Sequence, residues 1–194
     1  MALAIAVCSW KSGDFIRART FLNEAVQISG VHIRTVLTRA EFLLEAGDLE
    51  AARNVFSQLS DTQQRVSNNP DFHRIQSRLA ELSGDNQTGL NSAIKVLEFR
   101  PADREAHSRV ARLLQKLGRV SEAGDYYERS HLLAKSEIAL WNLTRTLPDV
   151  PTPQDCRQVS SLYQQLGKTD QAREWSKLAD RLKASTRQHR QDEA

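Results

Sequence analysis

The stretch Arg39–Leu59, RAEFLLEAGDLEAARNVFSQL, decides the fold. It reads as two short amphipathic helices joined by a turn at Gly47-Asp48. Four other turns share its form: Gly13-Asp14, Gly84-Asp85, Gly118-Arg119 and Gly167-Lys168, at successive intervals of 34, 37, 34 and 49 residues. Five of the eight glycines therefore occupy one recurring site. A helix ends most cheaply on a residue that tolerates the left-handed backbone region, which is what glycine offers.

Working outward from each turn glycine, the residue seven before it is Ala6, Ala40, Ser77, Ala111 or Ser160. The residue five after it is Ala18, Ala52, Gly89, Ala123 or Ala172. All are small, and small residues let two helix backbones approach closely, so each unit reads as a tight antiparallel helix pair. Nine residues after the glycine stand Leu22, Phe56, Ala93, Tyr127 and Ser176. Twelve after stand Ala25, Leu59, Val96, Ser130 and Ala179. These positions are expected to fill the seam to the next unit, with Ala93, Ser130 and Ser176 as the weaker fits.

The pattern resembles the tetratricopeptide repeat family in its 34-residue spacing, its paired small residues around a Gly-Asp turn, and Pro101 closing the third unit. The resemblance extends over roughly residues 1–183 and implies an all-α, right-handed superhelical solenoid of antiparallel helix pairs. The units are expected at about 1–30, 31–68, 69–101, 102–134 and 152–183. An extra helix fills about 135–147, or less simply continues the preceding one. Pro148, Pro151 and Pro153 break it. Thr152 caps the next helix, Pro153 opens it and Asp155 faces its dipole. Asn69 and Pro70 are expected to start the third unit in the same way, and Ser121 is a further cap candidate. The tail 184–194 has no apolar residue larger than alanine and is expected to be disordered.

Composition narrows the function. A hydrophobic fraction of 40% and a charged fraction of 26% are those of a soluble protein. A net charge of +3, from 27 basic and 24 acidic side chains, is too balanced to imply a polyanion partner. Cys8 and Cys156 form no CxxC pair, which points to free thiols in a reducing, cytoplasmic setting. The N-terminal MALAIAVCSW is apolar but short, with no basic leader, and reads neither as a signal peptide nor as a membrane span. That first helix is apolar almost all round. Its outer face is therefore expected to be covered by an upstream repeat or, through self-association, by a second copy.

No catalytic constellation is present: no phosphate-binding glycine loop, nucleophile elbow or HExxH. No cofactor is implied. His73 and His107 stand at one offset, eleven before the turn glycine, and Cys156 shares it. With no third ligand in view they read as packing residues, and no metal site is assigned. The resemblance implies that the first helix of each unit faces a concave, ligand-binding side. The positions implied there are Leu3 and Val7, then Leu37, Glu41 and Leu44, then Arg74 and Arg78, then Arg112 and Lys116, and in the fifth unit Arg157 and Ser161. The groove would begin apolar and become basic, and arginine forks suit carboxylates. The expected function is a protein–protein interaction scaffold or adaptor, binding a partner segment with apolar and acidic parts. Two alternatives stay open: a basic helical-repeat nucleic-acid binder, and the regulatory arm of a larger enzyme-containing chain.

Overall fold

The computed structural model describes residues 1–29, 32–59 and 66–192, with the side chains of 29 and 186–192 outside the description. The expected first boundary near residue 30, the end of the second unit at 60–65 and the last two residues of the tail lie outside the described residues. Among the described residues there are ten helices and no strands. They are α1 (Ala2–Lys11), α2 (Phe15–Ser29), α3 (Ile33–Glu45), α4 (Leu49–Ser57), α5 (Pro70–Leu82), α6 (Asn86–Phe99), α7 (Arg104–Lys116), α8 (Val120–Thr146), α9 (Pro153–Gln165) and α10 (Thr169–Asp192). The chain forms two compact units: Met1–Phe99 with Leu113–Gly118, and Arg100–Arg112 with Arg119–Ala194.

The turns set the helix pairs. All five turn glycines have positive φ, between 69° at Gly167 and 84° at Gly13. Four of the turns close in the same way. The glycine N–H reaches back to a carbonyl three residues earlier, and the next N–H reaches a carbonyl five earlier, as in Asp14 N to Ser9 O at 2.9 Å and Lys168 N to Tyr163 O at 2.9 Å. The residue after the glycine has a second task. The carboxylates of Asp14, Asp48 and Asp85 accept the N–H three residues on, at 3.0, 3.1 and 3.0 Å, and so cap α2, α4 and α6. Arg119 offers α8 no such bond. Its guanidinium pairs instead with Glu122, at 2.7 Å for both contacts.

The small residues lie where the helices of each pair cross. Ala6, Ala18, Ala40, Ala52, Ser77, Ala111, Ala123 and Ala172 are buried, as is Gly89. Where the position before the turn is serine, its hydroxyl donates across the pair: Ser77 Oγ to Gly89 O at 2.8 Å, and Ser160 Oγ to Ala172 O at 2.6 Å. A Cβ on Gly89 would meet Ser77 O at 3.3 Å, so α5 and α6 approach more closely than an alanine pair allows comfortably. In the first unit Val36, Leu59, Val66, Ile75 and Leu79 form one apolar cluster across α3, α4 and α5. Leu22, Phe42 and the N-terminal alanines form a second. The seam positions are filled at Leu22, Ala25, Leu59, Ala93, Val96 and Ala179, whereas Tyr127 and Ser176 are exposed.

Three boundaries differ from the sequence expectation. The extra helix is fused to its predecessor: α8 runs unbroken for 27 residues. No glycine or proline interrupts it between Asp125 and Leu147, and Leu133 and Ser136 continue one buried face. It stops at Leu147, whose extended backbone (φ −61°, ψ 136°) is the conformation that a following proline requires. Ser121 consequently lies inside α8 and does not cap it. At the other end α10 continues through the expected tail to Asp192. That stretch holds no glycine or proline and is rich in lysine, arginine, glutamine and alanine, all good helix formers.

Candidate functional site

The described first helices of the first unit bring several of the expected residues together. On α3, Arg34, Leu37, Thr38 and Glu41 face Asn69 at the N-terminus of α5 and Asp71 and Arg74 on its first turns. Between them lies a concave site of about 580 Å³, with His32 and Ile33 at its edge. Asn69 stays there because its carbonyl caps α5, accepting Asp71 N at 2.9 Å and Phe72 N at 3.3 Å, with Pro70 in the first helical position.

Charge at this site is largely internal. The Arg74 fork binds Glu41 through both nitrogens, with Nη2 to Oε2 at 2.9 Å, and Nη2 lies 3.5 Å from Asp71 Oδ1. The side chains of Arg74 and Glu41 are only 23% and 19% exposed. One unit along, Lys116 Nζ donates to Glu81 Oε1 at 3.0 Å, and at the start of the chain Trp10 Nε1 donates to Glu45 Oε2 at 3.0 Å. In the repeat numbering, Trp10–Glu45 and Glu81–Lys116 each join the residue three before one turn glycine to the residue two before the next, and Glu41–Arg74 joins the residue six before one to the residue ten before the next. The expectation of a basic groove is therefore corrected at Arg74 and Lys116, whose charges are matched by carboxylates on the adjoining first helix. Among the described residues, Arg34 and Arg78 have no carboxylate partner. Arg34 lines this site and Arg78 stands one turn beyond Arg74 on α5, so both are available to a ligand there.

The other expected positions divide. Leu37 is buried yet lines the concave site. Leu44 is 6% exposed and packs in the α3–α4–α5 cluster, which removes it as a groove contact. Central helices bury a wider stripe than terminal ones because partners cover both flanks. Leu3 is half-buried against the N-terminal cluster, and Val7 is half-buried. In the second unit Arg112 is exposed, and Arg157 is exposed with a loose 3.9 Å pairing to Asp180. Ser161 lines a separate apolar groove between α8 and α9.

The two histidines act within the fold. His73 Nε2 donates to Ser67 O at 2.7 Å, and His107 Nε2 donates to Pro101 O at 2.9 Å, each tying down the loop six residues before it. His73 is buried and stacks on Phe99 at 6.3 Å. Burial pushes the Cys156 thiol above its ordinary range, as suits a packing residue at that same offset.

Sequence comparison matches residues 9–79 to a family model described as tetratricopeptide repeat. Among solved structures, the crystal structure of MamA is similar over 95% of this chain and 97% of its own, with a TM-score of 0.56 and 12% identity. The AMB-1 MamA structure covers 93% of this chain and 96% of its own, with a TM-score of 0.57 and 17% identity. MamA is a helical tetratricopeptide-repeat solenoid, and the likeness shows that all-α helical-repeat fold class for this chain. At such identities the likeness shows the fold alone. Curated protein sequences give no match. Among the described residues no helix is long and apolar enough to cross a membrane.

Proposed function

We propose that the chain is a non-catalytic protein–protein interaction module whose first unit receives a partner segment on the concave face of α3 and α5. The observation that carries this is the convergence of Leu37, Glu41 and Arg74 on one concave site, beside Arg34 and near Arg78. Tetratricopeptide repeats over residues 9–79 support an interaction scaffold in general. The site combines apolar surface at Leu37 with Ile33 at the edge, hydrogen-bonding groups at Thr38 and Asn69, and Arg34 in its lining with Arg78 nearby, two arginines that no described carboxylate neutralises. It suits an extended segment with an apolar side chain and carboxylates. The free thiols Cys8 and Cys156 fit a reducing compartment, and the proposal places the module in the cytoplasm.

Selection of a displayed library of random linear peptides on the immobilised chain tests the proposal. The expected result is enrichment of acidic sequences with an apolar anchor, whose binding Arg34→Glu/Arg78→Glu abolishes while helicity is unchanged. Selected peptides that bind this folded variant as well as the wild type would move the site elsewhere. Arg74→Glu is a poorer probe, because it sets a carboxylate against Glu41 and disturbs fold and binding together.

A further inference from the structure

One face of α8 repeats every seven residues. Val120, Tyr127, Ala134 and Trp141 stand seven apart. The positions four after each are Gly124, His131, Ile138 and Arg145. Alternating steps of four and three keep one side of a helix turned toward a partner helix. This side is open. Val120, Ile138 and Trp141 are 63%, 61% and 58% exposed and Tyr127 is 38% exposed. Gly124, His131 and Arg145 are exposed, and Ala134 is half-buried. The bonds of α8 to its own chain leave from other sides. Ser130 Oγ donates to Arg104 O at 3.2 Å and Glu137 pairs with Arg104 at 3.1 Å on one flank, while Ser136 Oγ donates to Gln165 Oε1 at 2.7 Å on another. The stripe runs for about 38 Å at about 1.5 Å per residue.

The order of residues along the stripe fits the same stripe reversed. Laid antiparallel on a second copy, in the register that overlaps its whole length, Trp141 falls opposite Gly124 and His131 opposite Ala134, large against small. Tyr127 packs on Ile138, and at the two ends the Arg145 stem covers Val120. A Cβ on Gly124 would meet nothing within 4 Å, so there is open space for an indole at that position. Glycine weakens a helix interior, and a close approach across the seam gives this one a purpose.

Charge selects the same register. Glu128 and Lys135 each follow a stripe position by one residue and flank the seam on one side. Both are exposed, and neither takes part in an ion pair among the described residues. They stand about 10 Å apart along α8, too far to reach each other within it. In the antiparallel register Glu128 lies beside Lys135 of the second copy, and Lys135 beside its Glu128, so two ion pairs form about the two-fold axis. Sliding by seven residues one way sets Glu128 against Glu128, and the other way Lys135 against Lys135. A parallel pair would stack Arg145 on Arg145 and leave Gly124 facing Gly124.

We infer that α8 is a self-recognition helix, which pairs antiparallel with α8 of a second copy in a closed two-fold dimer. The fusion that lengthens α8 to 27 residues then has a role, since it supplies Ile138, Trp141 and Arg145, half of the seam. The seam is only partly apolar, so the dimer is concentration-dependent. It is independent of the concave face of the first unit.

Sedimentation equilibrium of the full chain over a concentration series tests this. Every protein in the series carries Ile16→Glu/Ile28→Glu, which removes the exposed apolar residues of the N-terminal pair as a competing contact. To this reference, Glu128→Lys sets lysine against lysine at both pairs, and Lys135→Glu sets glutamate against glutamate. Circular dichroism confirms that each variant is folded. The expected result is a dimer in the reference protein and dimerisation at least about tenfold weaker in each charge variant. Mixing the two charge variants should restore a dimer, because one chain then offers lysine at both positions and the other glutamate at both. A reference protein that stays monomeric up to about 1 mM overturns the inference. So does a dimer that neither charge variant weakens, or a mixture that associates no more tightly than its components.

Discussion

Breaking the Glu41–Arg74 pair gives the sharpest energetic test of how the first helices are held together. The two side chains share a bidentate contact on adjoining helices and are both under a quarter exposed. Exposed ion pairs are worth about 0.2–1 kcal/mol, while hydrogen bonds to charged groups in protected sites contribute about 1.5–3 kcal/mol. A partly buried fork belongs between these, so a double-mutant cycle of Glu41→Ala and Arg74→Ala should return a coupling energy of about 2 kcal/mol. The assay is urea unfolding followed by Trp10 fluorescence in a Trp141→Phe/Trp175→Phe background. Trp10 belongs to the first unit and bonds Glu45, so it reports locally. The coupling should persist in 0.5 M salt, because partly buried pairs are screened less than exposed ones. A coupling under about 0.5 kcal/mol, or one that salt abolishes, would refute the claim that these charges are internal struts and would return Arg74 to the list of ligand-facing cations.

Other outcomes follow from the same structure. Ser77→Ala should cost about 1 kcal/mol through loss of the bond to Gly89 O, and Ser77→Val about 2 kcal/mol or more through overpacking, both read from urea midpoints. Asp48→Ala should destabilise by about 1 kcal/mol by uncapping α4, whereas Lys168→Asp should add about 0.5–1 kcal/mol by supplying α10 with the cap that three other second helices have. The Asp155 carboxyl is held below its ordinary range, first by the Thr152 hydroxyl and then by its backbone N–H. Its contribution is therefore complete above the ordinary aspartate value of about 3.9 and is lost as pH falls through the lowered folded value. An NMR titration of Asp155 should show its midpoint below that ordinary value in the wild type and closer to it in Thr152→Val, which removes the hydroxyl but keeps the backbone N–H. Self-association through the N-terminal pair, where Phe15, Ile16 and Ile28 are exposed, predicts a dimer of the Glu128→Lys chain in sedimentation that Ile16→Glu/Ile28→Glu converts to monomer.

Much of the fold was legible because the tetratricopeptide pattern rests on local chemistry. The turn glycines announce positive φ, the small residues at two offsets announce close helix crossing, and Asn69-Pro70 and Thr152-Pro153 announce helix starts. The aspartates after the glycines were visible too, but their capping role needed the geometry of the turn. Two features were read incompletely. The fusion that makes α8 stood only as the less simple alternative to a separate extra helix, because repeat length favoured a break, although no glycine or proline stands between Asp125 and Leu147 to make one. The neutralisation of Arg74 and Lys116 depends on carboxylates 33 and 35 residues away, and their pairing is set by the packing of neighbouring helices, not by spacing within one helix. A rule joining offsets in successive units would have found both pairs. The concave site was half legible: Leu37, Glu41 and Arg74 do meet, but Leu44 belongs to the core and Arg34 was missed. Arg34 stands thirteen before its turn glycine, one helical turn outside the offsets that the family resemblance implied.

The account rests most heavily on the concave face of α3 and α5 as the place where a partner segment sits. The most direct measurement is amide hydrogen exchange of the full chain with and without an acidic peptide selected on it. Slowed exchange concentrated in 33–45 and 70–82, and absent from that peptide's mixture with Arg34→Glu/Arg78→Glu, is the predicted result. Unchanged exchange in those two helices, with protection confined to other parts of the chain, would contradict it.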